Sequence, residues 1–322
     1  MELFAIDGNP IPDGSQVGTV TAADGVKLRY ARWPAARQPR GTVSVLQGRS
    51  QSIERYFETV SDLRRRGFEV AILDWRGQGG SERRLRDRRK GHVDSFAEYD
   101  RDLEAFVEQV MLPDCPPPHF ALAHSMGGLI CLRAAHDGRV GFQRMVLTAP
   151  MVAFGPTRPR EPNACRIATL MTAIGLGALS AHGEARQTID RVAFEDNSLT
   201  GDRRRFDRTL AIVRGLPQVS VSGPTYGWLH AACRAMADAR DPDFASAIEA
   251  PTLILVGALD DVVSVGAVES LARELRAGAQ VVIVGGRHEL LMERDAIREQ
   301  FWAAFDAFVT RADQPAASRS ST

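Results

Sequence analysis

Early in the chain, Val26-Lys27-Leu28-Arg29-Tyr30 alternates apolar and polar side chains directly behind Asp24-Gly25. That alternation predicts the second strand of a hairpin with one face covered. Farther along, the apolar residues gather into short dense runs: Val43–Leu46, Val70–Leu73, Phe120–Ala123, Met145–Leu147, Leu253–Val256 and Val281–Val284. A strand covered on both faces needs no polar side, so these runs predict parallel strands packed between helices.

The segments between the runs carry the helical period. Phe96, Tyr99, Leu103, Phe106, Val107 and Val110 recur at spacings of 3, 4, 3, 1 and 3, which puts them on one helical face. Ser95-Phe96-Ala97-Glu98 has the form of a capping box at the start of that helix. Ile297, Phe301, Phe305 and Phe308 line a helix near the C-terminus, and Val265–Arg276 fills the gap between the last two strands. The fold predicted is α/β, a mostly parallel central sheet with helices on both faces.

One interval breaks the rhythm. Leu147 to Leu253 is 106 residues, whereas a simple crossover needs only roughly 10–12. The excess contains the apolar stretch Ile167–Leu179 and an Arg-rich stretch around Arg203–Arg205. We read a helical cap over residues 151–236, inserted between late strands of a core made of 1–150 and 237–312. Residues 313–322, rich in Ala, Ser and Thr, read as a disordered tail.

Composition narrows the class. The 322 residues carry 40 Lys+Arg against 40 Asp+Glu, so the formal charge is zero. A nucleic-acid binder would carry a basic excess, and no nucleic-acid partner is expected. No apolar run reaches the roughly 18 residues of a membrane-spanning helix. Met1–Gln16 carries Glu2, Asp7 and Asp13 without the cationic start of a signal peptide. Cys115, Cys131, Cys165 and Cys233 form no C-x-x-C pair and read as four thiols in a reducing compartment. The expected location is the cytoplasm, with the periphery of the inner membrane as the alternative.

The chemistry is concentrated in Phe120-Ala-Leu-Ala-His124-Ser125-Met126-Gly127-Gly128-Leu129. This is a strand, a tight turn and a helix start, with small residues two before (Ala123) and two after (Gly127) the serine. A nucleophile elbow needs that spacing, because larger neighbours would collide where strand and helix converge. The turn lifts the Ser125 hydroxyl above the sheet, and the Met126 amide at the helix start can donate to a developing oxyanion.

A serine nucleophile needs a base, and the base needs an orienting acid. The strand Leu253–Val256 ends in Gly257-Ala-Leu-Asp260-Asp261, and the strand Val281–Val284 ends in Gly285-Gly286-Arg287-His288. Parallel strands bring these loops to the sheet edge that holds Ser125. His288 is the candidate base, and Asp260 or Asp261 the candidate acid. Gln47-Gly48-Arg49-Ser50 follows a neighbouring strand, and the Arg49 amide is the candidate second oxyanion donor.

Other motifs fail on inspection. Gly77-Gln-Gly79-Gly80-Ser-Glu82 has Glu where a dinucleotide loop needs its third glycine, and reads as a loop shaping the site's surroundings. His288-Glu289-Leu-Leu-Met292 ends in Met, unlike a zinc-protease helix, and the seven histidines show no ligand spacing. Arg83–Lys90 is a dense basic run, read either as a solvated loop or as an attractor of phosphate head groups and anionic lipid. Ile167–Leu179 is read either as a packed helix or as a cap helix leaning on lipid.

These segments, with Asp74-Trp-Arg-Gly-Gln-Gly-Gly-Ser81, Gly91-His92-Val93, Thr148-Ala-Pro-Met151, Asn197–Asp202 and Gly223–Trp228, resemble the α/β-hydrolase superfamily in its monoacylglycerol lipase / lysophospholipase L2 group. The resemblance runs from about Val43 to Val309. It implies a Ser125, Asp260, His288 triad, an oxyanion pair at Arg49 and Met126, no cofactor, and esters of single-acyl lipids as substrates. It departs from the monoacylglycerol lipases at Gln47-Gly48, where they carry His-Gly. A small-peptide hydrolase on the same scaffold and a non-catalytic ligand binder are the competing readings; an aspartate at the elbow would have signalled an epoxide hydrolase or dehalogenase.

Overall fold

The computed structural model describes residues 1–35, 38–156, 160–181 and 189–310. The tail at 313–322 lies outside the described residues. The elements run β1 (Gln16–Thr21), β2 (Lys27–Trp33), β3 (Thr42–Leu46), α1 (Phe57–Arg65), β4 (Glu69–Leu73), α2 (Ala97–Phe106), a short α3 (Leu112–Asp114), β5 (His119–His124), α4 (Met126–His136) and β6 (Arg144–Thr148). They continue with α5 (Glu161–Ala173), α6 (Arg203–Gly215), α7 (Tyr226–Asp238), β7 (Thr252–Gly257), α8 (Val265–Glu274), β8 (Gly278–Ile283) and α9 (Asp295–Thr310).

The eight strands form one sheet in the order β1-β2-β4-β3-β5-β6-β7-β8. β1 and β2 pair antiparallel around the Asp24-Gly25 turn, β2 meets β4 antiparallel, and the remaining pairs are parallel. Successive side chains of a strand face opposite ways, and the two cores follow from that. Val43, Val45, Phe120, Leu122, Val146, Leu253 and Leu255 pack with α1 and α9 on one face. Ala121, Ala123, Met145, Leu147, Ile254 and Val256 pack with α2, α4 and α8 on the other.

The capping box before α2 forms in altered shape: Glu98 accepts from the Asp94 and Ser95 amides, while the Ser95 hydroxyl takes the Ala97 amide. β8 departs from the doubly covered strand that its apolar run predicts. Val281 and Val282 are exposed and Val284 lies beyond the strand's end; β8 stands at the sheet margin, where the helices on the two faces no longer cover its side chains.

Helices α5, α6 and α7 fill the long interval between β6 and β7. α7 runs through residue 236 to Asp238, and its Trp228 packs on Phe96 and donates to the Tyr99 hydroxyl. The expectation of four thiols is overturned here. Cys165 on α5 and Cys233 on α7 form a disulfide across 68 residues, while Cys115 and Cys131 are free and buried. The pairing depends on two helices lying side by side, which residue spacing does not reveal, and the cysteines no longer argue for a reducing compartment. Among the described residues no helix is long and apolar enough to cross a membrane.

Candidate active site

Ser125 sits between β5 and α4 with φ 49° and ψ −114°, a conformation costly for a residue with a Cβ. The turn is held on three sides: the Ser125 amide donates to Thr148 O, and its carbonyl accepts from the Leu129 and Met151 amides. A Cβ at Gly127 would lie 2.3 Å from Leu46 O and 2.5 Å from Gln47 O. Glycine therefore lets α4 begin against the end of β3, which places the serine beside the Gln47–Ser50 loop. Met126 opens α4 and is fully buried.

The loop after β3 is organised by side chains. Gln51 Oε1 accepts the Gly48 amide at 2.7 Å, and Gln78 Oε1 accepts the Ser50 amide at 3.2 Å. The amides of Arg49, between them, and of Met126 donate to no acceptor among the described residues. Gln78 also donates to the carbonyls of Gly48 and Gln51, so the Gly77–Gly80 segment buttresses this loop. Gln47, at the departure from His-Gly, donates to Asp74, which also accepts from the Ile53 amide and Arg29.

His288 and Asp260 arrive from the ends of β8 and β7. A Cβ at Gly257 would lie 2.3 Å from Gly286 O, so a glycine there allows the two loops to touch. His288 Nδ1 lies 2.9 Å from Asp260 Oδ2, and Asp260 Oδ1 accepts the Val262 and Val263 amides. Asp261 is exposed and makes no contact with the imidazole. Of the two acidic residues left open by the sequence, the structure brings Asp260 to His288. The inserted segment braces the same loop: Leu199 O accepts the Glu289 amide at 2.8 Å.

Ser125, His288 and Arg49 line one cavity of about 760 Å³, within the roughly 300–1,000 Å³ range of small-ligand sites. Asp260 lies behind the imidazole, in an adjoining cleft, and no hydrogen bond joins the Ser125 hydroxyl to His288. The wall beyond is apolar and includes Ile167, Val213 and Leu229 from the inserted helices. His124 packs ring to ring with His288 at 4.8 Å and bonds Thr148 through Nδ1. Burial, then the neighbouring His288 and Arg55, holds His124 well below the usual histidine range, so it stays neutral.

Sequence reasoning missed Gln51, Gln78 and Glu289. Glu289 joins Arg55 at 2.6 Å and Gln51 at 3.0 Å, tying the His288 loop to the Arg49 loop. Glutamine and glutamate in loops carry no periodic signal, and only the neighbour in space gives them a role. The basic run 83–90 is not uniformly solvated: Arg83 is buried and donates to Gly79 O, whereas Lys90 is partly exposed and reaches Ala178 O at 3.2 Å.

A parallel sheet with an antiparallel leading edge, a strained serine between strand and helix, and an imidazole–carboxylate pair on the following strand ends define an α/β-hydrolase. The model of one family, described as Serine aminopeptidase, S33 (Hydrolase_4), matches residues 37–295, and the chain belongs to that family. It is 33% identical over 319 residues to Lysophospholipase L2 of Escherichia coli (strain K12), covering 93% of this chain and 89% of that protein. It is 28% identical to the Probable lysophospholipase L2 of Haemophilus influenzae over 88% of each. Among solved structures, a monoacylglycerol lipase of Paleococcus ferrophilus superposes with a TM-score of 0.70 at 22% identity, covering 88% of this chain and 98% of that one.

Proposed function

We propose that the protein is a serine carboxylester hydrolase that cleaves single-acyl lipid esters, of the lysophospholipase or monoacylglycerol lipase type. The observation that carries this reading is the His288–Asp260 hydrogen bond at the edge of the cavity that holds the strained Ser125. Ser125 attacks the ester carbonyl while His288 takes its proton, and Asp260 fixes the imidazole tautomer and stabilises its charge. The free amides of Arg49 and Met126 receive the oxyanion. His288 then protonates the departing alcohol, and water repeats the cycle on the acyl-enzyme. The likeness to Lysophospholipase L2 along most of both chains supports a lipid substrate.

In this reading residues 1–150 and 237–312 form the hydrolase core and 151–236 the cap, whose apolar side chains receive the acyl chain. The cap also meets the membrane. Leu170 and Ile174 are about 60% exposed, with Leu176 and Leu179 following them, and Lys90 stands against the same segment through Ala178. An apolar surface beside a cation suits an anionic lipid interface.

A fluorophosphonate should label the wild type, and Ser125→Ala should lose both the label and ester turnover, by about 10⁴-fold or more. Labelling of Ser125→Ala at unchanged stoichiometry would show that another serine is the nucleophile. Turnover of aminoacyl arylamides in place of monoacyl lipids would assign the scaffold to peptide hydrolysis.

A further inference from the structure

Among the described residues two guanidinium groups, of Arg49 and Arg55, line the cavity, and they are treated differently. Arg55 is neutralised by Glu289 at 2.6 Å. Arg49 has no carboxylate within ion-pair distance among the described residues. It donates to the Ser50 hydroxyl at 2.8 Å and to Ser222 O at 3.1 Å, and its Cζ lies 4.7 Å from the centre of the Trp228 ring. Its Nε is buried with no acceptor. Asp196 and Asp261 also line the cavity but form no ion pair with it. Desolvation pushes Arg49 down to about 10, with Tyr99 opposing, and it remains charged at neutral pH. A charge taken partly out of water without a counter-ion is expensive, and a bound anion would offset that cost.

We propose that the Arg49 guanidinium is the head-group subsite, binding the phosphate of a lysophospholipid whose ester lies at Ser125. This deepens the lipid-esterase reading and rests on it. The placement follows from one residue carrying both groups. The backbone amide of Arg49 faces the ester oxygen, and an extended arginine side chain reaches about 6 Å at bond lengths of about 1.5 Å. A glycerol backbone separates ester carbonyl from phosphate by a similar distance. The forked donors of arginine suit two phosphate oxygens, and the Trp228 face holds the fork in plane. Lys90-Gly91 runs alongside, since a methyl group at Gly91 would meet Arg49 Nη2 at 3.8 Å. The basic run therefore leads to this point.

The test compares kcat/KM for 1-palmitoyl lysophosphatidylcholine and 1-palmitoylglycerol in the same mixed micelles, for the full chain, Arg49→Met and Arg49→Lys. The ratio of phospholipid to glyceride should fall at least tenfold in Arg49→Met and recover in part in Arg49→Lys. Loss of both activities in equal proportion would mean that the side chain only shapes the oxyanion loop, and would overturn the subsite while leaving the hydrolase reading intact. A wild type inert on both lipids would overturn the hydrolase reading. The subsite is then decided by calorimetry on Ser125→Ala: sn-glycerol 3-phosphate should bind, and adding Arg49→Met should weaken it at least tenfold. Undiminished binding overturns the proposal. Inorganic phosphate that binds as tightly with the same Arg49 dependence would overturn the head-group assignment in favour of a free-phosphate site. Matching circular dichroism of all variants establishes folding, and Arg49→Gln replaces Arg49→Met should the latter fail to fold.

Discussion

Helices α5 and α6 belong to the same inserted segment but meet their surroundings in opposite ways. α6 is fastened by charge. Its Arg205 is 1% exposed and engages Glu58 on α1, Asp202 at its own N-cap and Asp295 on α9, and Arg208 and Arg298 share Glu58. α5 buries Ala168 alone and turns Leu170 outward, with Ile174 exposed at its C-cap. It is held by packing on α7 and by the Cys165–Cys233 bond. Polar residues are locked inside at one end of the segment and apolar residues left outside at the other. The hydrophobic effect alone would favour the reverse. The buried charges tie the segment to α1 and α9, and the apolar face of α5 stays exposed.

Removing the fastening should have the largest effect. Arg205→Met strips Asp202 of its cation and leaves Glu58 to Arg208 and Arg298 alone, and should cost about 3 kcal/mol, read as a lower denaturant midpoint. A midpoint equal to wild type would mean that the cluster contributes nothing to holding α6.

Acid should loosen the same end more gently. Burial alone would raise the Glu58 carboxyl, but hydrogen bonding from Arg205 and the charges of Arg298 and Arg208 outweigh it and hold it at about 2, below the ordinary 4.5. A depressed folded-state value stabilises the fold above pH 4.5 and is lost as pH falls toward 2. Glu58→Gln should therefore be about 2 kcal/mol less stable than wild type at pH 7 after allowance for solvent screening. The gap should close between pH 4.5 and 2. A gap that stays constant with pH would remove the carboxylate charge from the explanation.

The smallest stability change is expected at the other end. Leu170→Glu should shift stability by no more than about 0.5 kcal/mol, yet lower hydrolysis of vesicle-borne lysophospholipid about fivefold. Short soluble esters should be affected far less. Equal loss on both substrates would place Leu170 in the fold or the site and detach α5 from the membrane.

The legible parts of this molecule are those that repeat or that sterics forbid from varying. Phe120–Ala123 and Leu253–Val256 announce themselves because a strand packed on both faces tolerates little else. Gly127 marks the elbow because a Cβ there would strike Leu46 O. Val281–Val284 reads the same way, but its burial depends on helices covering both faces, and at the sheet margin Val281 and Val282 stay exposed.

The sequence by itself determined the chain order of strands and helices, the long interval before the strand at Leu253, and the candidates Ser125 at the elbow, His288 at a later strand end and an acidic pair, Asp260-Asp261, between them. These follow from local periodicity and from turns that few residues can make. The tertiary structure alone decided that Asp260 and not Asp261 meets the imidazole, that Cys165 finds Cys233, and that Arg205 is surrounded by carboxylates while Arg49 has none among the described residues. Each of these depends on which distant groups lie within a few ångströms, and Coulombic and covalent contacts at that range leave no pattern along a single chain.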